Sequence, residues 1–291
     1  MRISKPRKVG KRQQKTRKDM VITMEKIGLQ LYSIRNHFNT PEEISDTFKK
    51  LKALGYDQAE MAGSHGLSYD RFYELAKEQG IEIIGTHDNF QEMCTDIDGM
   101  IAKHKQLHVK NMGIGGLFLY DENAVNGIPV EKVEKFIEDA NKVADRIYEE
   151  GMKFVYHNHS HEFCVLSNGK RMIDMLIEGL DPVKTSFELD TCWVQNAGGN
   201  VESWIEKLAG RVDILHLKDM KYVIEKGAEG KPNGHNIMTE IGSGNMDFFK
   251  IIEAARKTGV KYYIVEQDMC PEDFEPYLKL SSDYLHQNFM K

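Results

Sequence analysis

The chain has 291 residues, 41% hydrophobic and 29% charged, an ordinary globular balance with ample material for a core. No run of eighteen apolar residues occurs, which excludes a membrane-spanning helix. The four cysteines (Cys94, Cys164, Cys192, Cys270) stand singly without a C-x-x-C pair, which argues against a disulfide scaffold or zinc ribbon and fits a reducing cytoplasm. The formal charge of −6 is uneven: residues 1–26 carry ten Lys or Arg against Asp19 and Glu25, about +8, which leaves −14 for the rest.

Residues 1–25 read as a basic, disordered tail without the apolar stretch of a signal peptide. From Ile27 onward short apolar runs alternate with amphipathic stretches, the signature of βα units. The first strand is expected at 27–34 (IGLQLYSI). A helix at 41–54 follows, with Thr40 and Glu43 as a capping box, Pro41 at its first position and Gly55 behind it. Strand two at 57–62 precedes a helix at 69–79, and strand three at 82–87 precedes a helix near 91–105 that Gly99 interrupts. Strand four at 109–115 leads to a helix at 130–150, and strand five at 153–159 (KFVYHNH) to one at 171–180. Strand six at 185–191 (TSFELDT) leads to a helix at 201–209 capped by Asn200 and closed by Gly210. Strand seven at 212–219 (VDILHLKD) precedes a helix at 246–258 with Asn245 as its cap, and strand eight at 262–268 (YYIVEQD) precedes a last helix at 271–287.

Eight such pairs without a Pro/Gly/Ser-rich linker predict one domain, a (β/α)₈ TIM barrel over 26–291. An open doubly wound sheet is disfavoured, because GLQLYS stands after the first strand where G-x-G-x-x-G would be needed.

In such a barrel the site lies at the C-terminal strand ends. Those ends carry Gln30, Tyr32 and Arg35, then Glu60, then His87, Asp88 and Asn89. Strand five runs into His157, Asn158, His159, His161 and Glu162, and strand six into Glu188, Asp190 and Trp193. Strand seven ends in His216, Lys218 and Asp219, and strand eight in Glu266, Gln267 and Asp268. So many ionisable groups would be costly to bury unpaired, and a cation is the economical explanation. Carboxylates from strands five, six and eight with an imidazole from strand seven make an O₃N site suited to Mn²⁺, Mg²⁺, Co²⁺ or Zn²⁺. Alternatives stay open: His157, His159 and His161 alternate and could share a strand face as three zinc ligands, and Lys218 with Asp219 could be a surface pair. His65, His104, His108, His235 and His286 read as surface or loop residues.

The windows VYHNHSHEF, FELDTCWVQNAGG, ILHLKD, EIGSGNMD and VEQD, in this order, resemble the xylose isomerase-like barrel superfamily, nearest to its sugar phosphate isomerase/epimerase branch. The resemblance spans about 27–288 and implies a metal held by Glu162, Asp190, His216 and Glu266, with Mn²⁺ foremost. Glu266, His159 and Glu162 are then the candidate acid–base groups, and His87, His157, Lys218, Trp193 and Gln30 the candidates for holding substrate. In the ketose epimerases of that superfamily the strand-five glutamate sits inside the strand, where this chain has Tyr156 or His157, which leaves room for a histidine base such as His159.

The implied chemistry is proton abstraction next to a carbonyl through a metal-stabilised enediolate. The first expectation is a metal-dependent isomerase or epimerase of a sugar or keto-sugar. The alternative is a lyase or dehydratase acting by β-elimination on a keto-sugar or keto-inositol, and the next a non-catalytic sugar-binding relative. A nucleic-acid partner is not expected of a body charged −14. No membrane partner is expected either, and a homo-oligomer through the helical faces stays open.

Overall fold

A computed structural model describes residues 24–119, 127–227 and 230–290. Most of the expected basic tail lies outside the described residues. Its last part does not hang free: Met24 is buried, donates its N–H to the Phe289 carbonyl at 2.7 Å and bridges to Met290.

Eight parallel strands close into a barrel, as expected. They are β1 (Gly28–Gln30), β2 (Gln58–Ala62), β3 (Glu82–His87), β4 (Asn111–Ile114), β5 (Lys153–His157), β6 (Thr185–Asp190), β7 (Val212–Leu217) and β10 (Tyr262–Val265), with β10 lying between β7 and β1. The helices are α1 (Pro41–Ala53), α2 (Tyr69–Glu78), α3 (Phe90–Thr95), α4 (Ile97–Leu107), α5 (Val130–Tyr148), α6 (Met172–Gly179), α7 (Thr191–Asn196), α8 (Val201–Lys207), α9 (Phe248–Thr258) and α10 (Glu275–Phe289). Helix starts follow their local chemistry. Thr40 accepts from the Glu43 N–H and Asn200 from the Ser203 N–H, each satisfying a donor the helix itself cannot.

Several expectations need correcting. Strand one is short, and Leu31–His37 turns into a 3₁₀ helix. The helix expected near 91–105 is two, because Asp96 breaks α3 and caps α4 through the Gly99 N–H. Asn245 does not cap α9: that helix starts after Asp247, and the Asn245 N–H goes to the Met220 carbonyl. His104 is no surface residue but fully buried. The largest omission is an antiparallel hairpin, β8 (Asp219–Lys226) with β9 (Pro232–Thr239), which follows strand seven directly and forms its own two-stranded sheet.

Two apolar layers fix where polar chemistry can occur. The larger packs between strands and helices. A small one, Ile84, Val155, Ile214 and Ile264, plugs the barrel interior. Gly28 makes that plug fit, since a Cβ there would stand 2.4 Å from Ile264 Cδ1. Side chains alternate along a strand, so the residues two positions on from Val155, Ile214 and Ile264 return to the lumen above the plug. They are His157, His216 and Glu266.

Candidate functional site

Above the plug the lumen is almost entirely ionisable. Gln30, Glu60, His157, Glu188, Asp190, His216, Lys218 and Glu266 are all buried, and His87 nearly so. Two local irregularities serve this arrangement. The pairing skips Ile84 of β3 between Ala59 and Glu60, and Asp213 of β7 between Phe187 and Glu188. Such skips re-aim neighbouring side chains, and each here stands beside a lumen carboxylate.

His216 is the hub. Its Nε2 lies 2.8 Å from both Glu60 Oε2 and Glu188 Oε1, while its Nδ1 lies 3.0 Å from Glu266 Oε2. Glu188 also pairs with His87 Nε2. Gln30 orders the far side: its carbonyl accepts the Tyr32 N–H at 3.1 Å, which turns its amide nitrogen toward Glu60 Oε2 at 2.8 Å and His87 Nδ1 at 3.2 Å. Burial and the adjacent Glu188 charge push Glu60 up to about 7. Burial works against ionisation of Glu188 too, but His216 and His87 hold it well below the usual carboxylate range.

On the opposite side of His216, Lys218 inserts its ammonium among three carboxylates. Its Nζ lies 2.7 Å from Glu266 Oε2, 2.9 Å from Asp268 Oδ1 and 3.1 Å from Asp190 Oδ2. Burial disfavours the charged lysine, yet these anions keep it well above its ordinary range. Lys218 and Asp219 are therefore no surface pair. Asp219 turns the other way and accepts the Gly242 and Gly244 N–H groups at 3.0 and 2.9 Å, which ties the loop before α9 to the hairpin root.

Three groups among the described residues have the spacing a cation needs: Glu60, His87, Glu188 and His216; His157, Asp190, His216 and Glu266; and His159, His161 and Glu162. His157 Nε2 and Asp190 Oδ2 are fully buried and 3.6 Å apart; the nitrogen makes no hydrogen bond, and the oxygen is ion-paired to Lys218 Nζ at 3.1 Å. His157 Nε2 is 3.8 Å from Glu266 Oε2, and His216 Nδ1 is 4.0 Å from Asp190 Oδ2. Ligands about 2.1 Å from a common ion stand roughly 3.0–3.4 Å from one another, so small side-chain shifts suffice. Around Glu60, His87 and Glu188 most contacts are at hydrogen-bond length, as is His216 Nδ1 to Glu266 Oε2 at 3.0 Å. His157, Asp190, His216 and Glu266 can thus hold a metal as an N₂O₂ set. The carboxylates against His216 Nε2 would keep its proton there and leave Nδ1 for the ion.

This set differs from the expected one at one position. Asp190, His216 and Glu266 come together, but Glu162 is not beside them. It follows Tyr156, which faces outward against Phe136 and Phe187, and it accepts from the Tyr156 hydroxyl at 2.9 Å and the His159 N–H at 2.8 Å. Glu162 thereby anchors the turn after β5 and groups with His159 and His161, while His157 stands beside Asp190, His216 and Glu266. Parity along β5 carried the signal, since His157 shares the face of Val155 and Tyr156 does not. His159 and His161 lie beyond the strand's end, so the three histidines share no strand face.

The cavity above these groups has a volume of about 510 Å³. His87, His157 and His159 line it, as do Glu266, Asp268 and Tyr32. Burial and the neighbouring His157 lower His159 to about 3, so this imidazole is neutral, and its Nδ1 makes no hydrogen bond. The Trp193 ring packs on His159 at 5.3 Å, with Lys218 Nζ 5.1 Å from its centre, as a wall residue would. Absent from the expected site set were Glu60, Glu188 and Asp268. Glu188 shares the lumenal face of Asp190 by simple alternation, and both Glu60 and Glu188 stand beside a register skip of the neighbouring strand.

Comparison with known proteins agrees with this architecture. The profile described as xylose isomerase-like TIM barrel matches residues 48–277. An inosose dehydratase of Geobacillus thermodenitrificans is 28% identical over 166 residues, 55% of this chain and 54% of that protein. The chain thus spans about half the length of the curated relatives it matches. A sugar phosphate isomerase/epimerase of Parabacteroides distasonis superposes with a TM-score of 0.72 at 20% identity, over 90% of this chain and 94% of that one. A probable 3-DHS dehydratase of Bacillus anthracis superposes with a TM-score of 0.67 at 14% identity, over 89% and 98%. These two are likenesses of fold. With the family profile covering most of its barrel, this chain belongs to the xylose isomerase-like TIM barrel family.

Proposed function

We propose that the chain is a divalent-metal-dependent enzyme that removes a proton next to the carbonyl of a keto-polyol and expels the β-hydroxyl as water. The observation that carries this is the buried His157 Nε2, without a hydrogen bond and 3.6 Å from Asp190 Oδ2, beside His216 and Glu266 at the cavity floor. Bound there, a divalent ion supplies Lewis acidity to the substrate carbonyl and so acidifies the adjacent C–H. Two imidazoles and two carboxylates suit Mn²⁺, Co²⁺ or Zn²⁺ and make Mg²⁺ the weakest of the four expected ions.

The chain's own groups divide the remaining work. His159, whose ring lines the cavity, is the group assigned to take the proton. Lys218, held among Asp190, Glu266 and Asp268, keeps these carboxylates charged and in position beneath the cavity. The proton taken from carbon passes from His159 to the β-hydroxyl, which leaves as water as its C–O bond breaks, and the electron pair of the broken C–H bond becomes the new double bond.

Elimination is favoured over epimerisation by the asymmetry of the site. Epimerisation with two matched carboxylates needs one on β5, and Glu162 is turned out of the lumen while His157 stands beside Asp190, His216 and Glu266. The dehydratase relatives support the same reading. Isomerisation is the second reading, supported by the same cation group and neutral base.

The test is metal analysis of the purified chain after Mn²⁺ loading, beside an Asp190→Ala/His216→Ala variant, followed by product mass from keto-inositol and ketohexoses. About one equivalent of metal, lost in the variant, and a product lighter by one water are expected. An isobaric product would sink elimination in favour of isomerisation. A chain that takes up no Mn²⁺ would sink the metal site.

A further inference from the structure

We infer that the N-terminal end of the barrel, opposite the cavity of the proposed reaction, carries a separate binding site for a phosphate monoester. A pocket of about 410 Å³ opens there among the strand starts, within the roughly 300–1,000 Å³ range of small-molecule sites. The alternation that sends His157 and Glu266 above the plug sends Lys153 and Tyr262 below it, two positions before Val155 and Ile264. Ile84 of the plug lines this pocket, which shares no lining residue with the cavity at the other end.

Three lysines, Lys110, Lys153 and Lys261, face two carboxylates, Glu82 and Asp213, and both carboxylates are already engaged. Glu82 holds Lys26 Nζ at 2.7 Å. Asp213, nearly buried, divides its one charge between two ammonium groups. Its Oδ2 lies 3.0 Å from Lys153 Nζ, and its Oδ1 lies 3.0 Å from Lys261 Nζ. Lys110 makes no ion pair among the described residues. Asp213 thus clamps two cations side by side and leaves their charge half matched. With Lys26, four ammonium groups meet two carboxylates, on a barrel whose formal charge is −14. A positive surplus in so acidic a chain is a local construction.

Lysines at this end could serve only to offset the helix C-termini that point toward it. Their partners argue otherwise: Lys153 and Lys261 reach Asp213, and none of the three donates to a helix carbonyl among the described residues. Phosphate is the anion that fits. Its several oxygens can accept from two ammonium groups at once, and lysine serves it as a compact point charge. The Tyr262 ring packs on the plug, and its hydroxyl makes no hydrogen bond among the described residues, so it can donate to a further oxygen. His108, Val109 and Asn111 line the remainder and leave room for the organic body of an ester.

The test is titration of the isotope-labelled full chain with inorganic phosphate, then glycerol phosphate and glycerol, read by amide shifts and calorimetry. Both phosphates should move the amides of Lys110, Lys153, Asp213 and Tyr262, and inorganic phosphate should leave those of His157 and His216 in place. Glycerol should move none of the first group. Lys110→Gln/Lys261→Gln, at two exposed positions, should weaken phosphate binding at least about tenfold, since each lost contact is a hydrogen bond to a charged group. Sodium chloride at matched ionic strength should not reproduce the shifts, because screening acts on every surface lysine alike. Shifts confined to the C-terminal mouth, equal shifts with chloride, or no shift by about 10 mM phosphate would overturn the site. An unchanged affinity in the folded double variant overturns it too, and if that variant misfolds the amide map decides alone. The keto-polyol reading concerns the other end of the barrel and stands under either result.

Discussion

Lys218 concentrates the electrostatic logic of the site. A buried ammonium held by three carboxylates is the chain's own counter-cation, and removing one member of a buried charge group leaves the others uncompensated. Lys218→Met should therefore cost about 3–5 kcal/mol in urea unfolding of metal-free protein. Because a divalent ion can replace part of the missing charge, added Mn²⁺ should recover more stability in this variant than in the parent. Equal recovery in both would separate Lys218 from the cation group. Glu188 acts one step back, through His216 Nε2. Glu188→Gln should leave the four candidate ligands in place yet weaken Mn²⁺ binding by about 10–100-fold, read by calorimetry.

At the scale of elements, the barrel closes where backbone approaches closely. A Cβ at Gly113 of β4 would meet the Thr86 carbonyl at 2.6 Å and Val155 Cβ at 3.3 Å. Neither a backbone oxygen of β3 nor a plug side chain can yield cheaply. Gly113→Ala should therefore destabilise the fold by about 1–3 kcal/mol, as overpacking does, with the loss visible as a lower urea midpoint at unchanged slope. The hairpin is the contrasting element. Met220 and Met238 root it, while Tyr222 and Ile224 farther out are 58% and 71% exposed. Its alternation of apolar and polar residues was legible but short, and the strand-to-helix rhythm of the barrel masked it.

For the whole molecule, buried carboxylates set a pH dependence. Burial pushes Glu162 up to about 7, against the hydrogen bonds from Tyr156 and His159. Its ordinary value is 4.5, so between roughly pH 4.5 and 7 the folded chain holds a proton the unfolded chain has lost. That contribution is fully present below about 4.5 and is lost as pH rises through about 7. Unfolding free energy in EDTA should accordingly fall from pH 5 to pH 8, by up to about 3 kcal/mol from this residue. Glu162→Gln should flatten that decline, and an unchanged slope would remove Glu162 as its source.

How much of this was readable beforehand depends on the range of the interaction involved. Strand and helix alternation, the Thr40 and Asn200 caps, the turn glycines and the closed eight-stranded count follow from contacts within a few residues, where periodicity and capping chemistry act directly. The gathering of Asp190, His216 and Glu266 was foreseeable too, because parallel strands bring their C-terminal ends to one rim. Only the tertiary structure decided that His157 and not Glu162 joins them, that Glu60 and Glu188 brace His216 from behind, and that Lys218 is buried among anions. Those outcomes depend on strand register, on one-residue skips in β3 and β7 and on which side of β5 each side chain faces. Register is settled by neighbouring strands far away in the chain, so no local run of residues contains it.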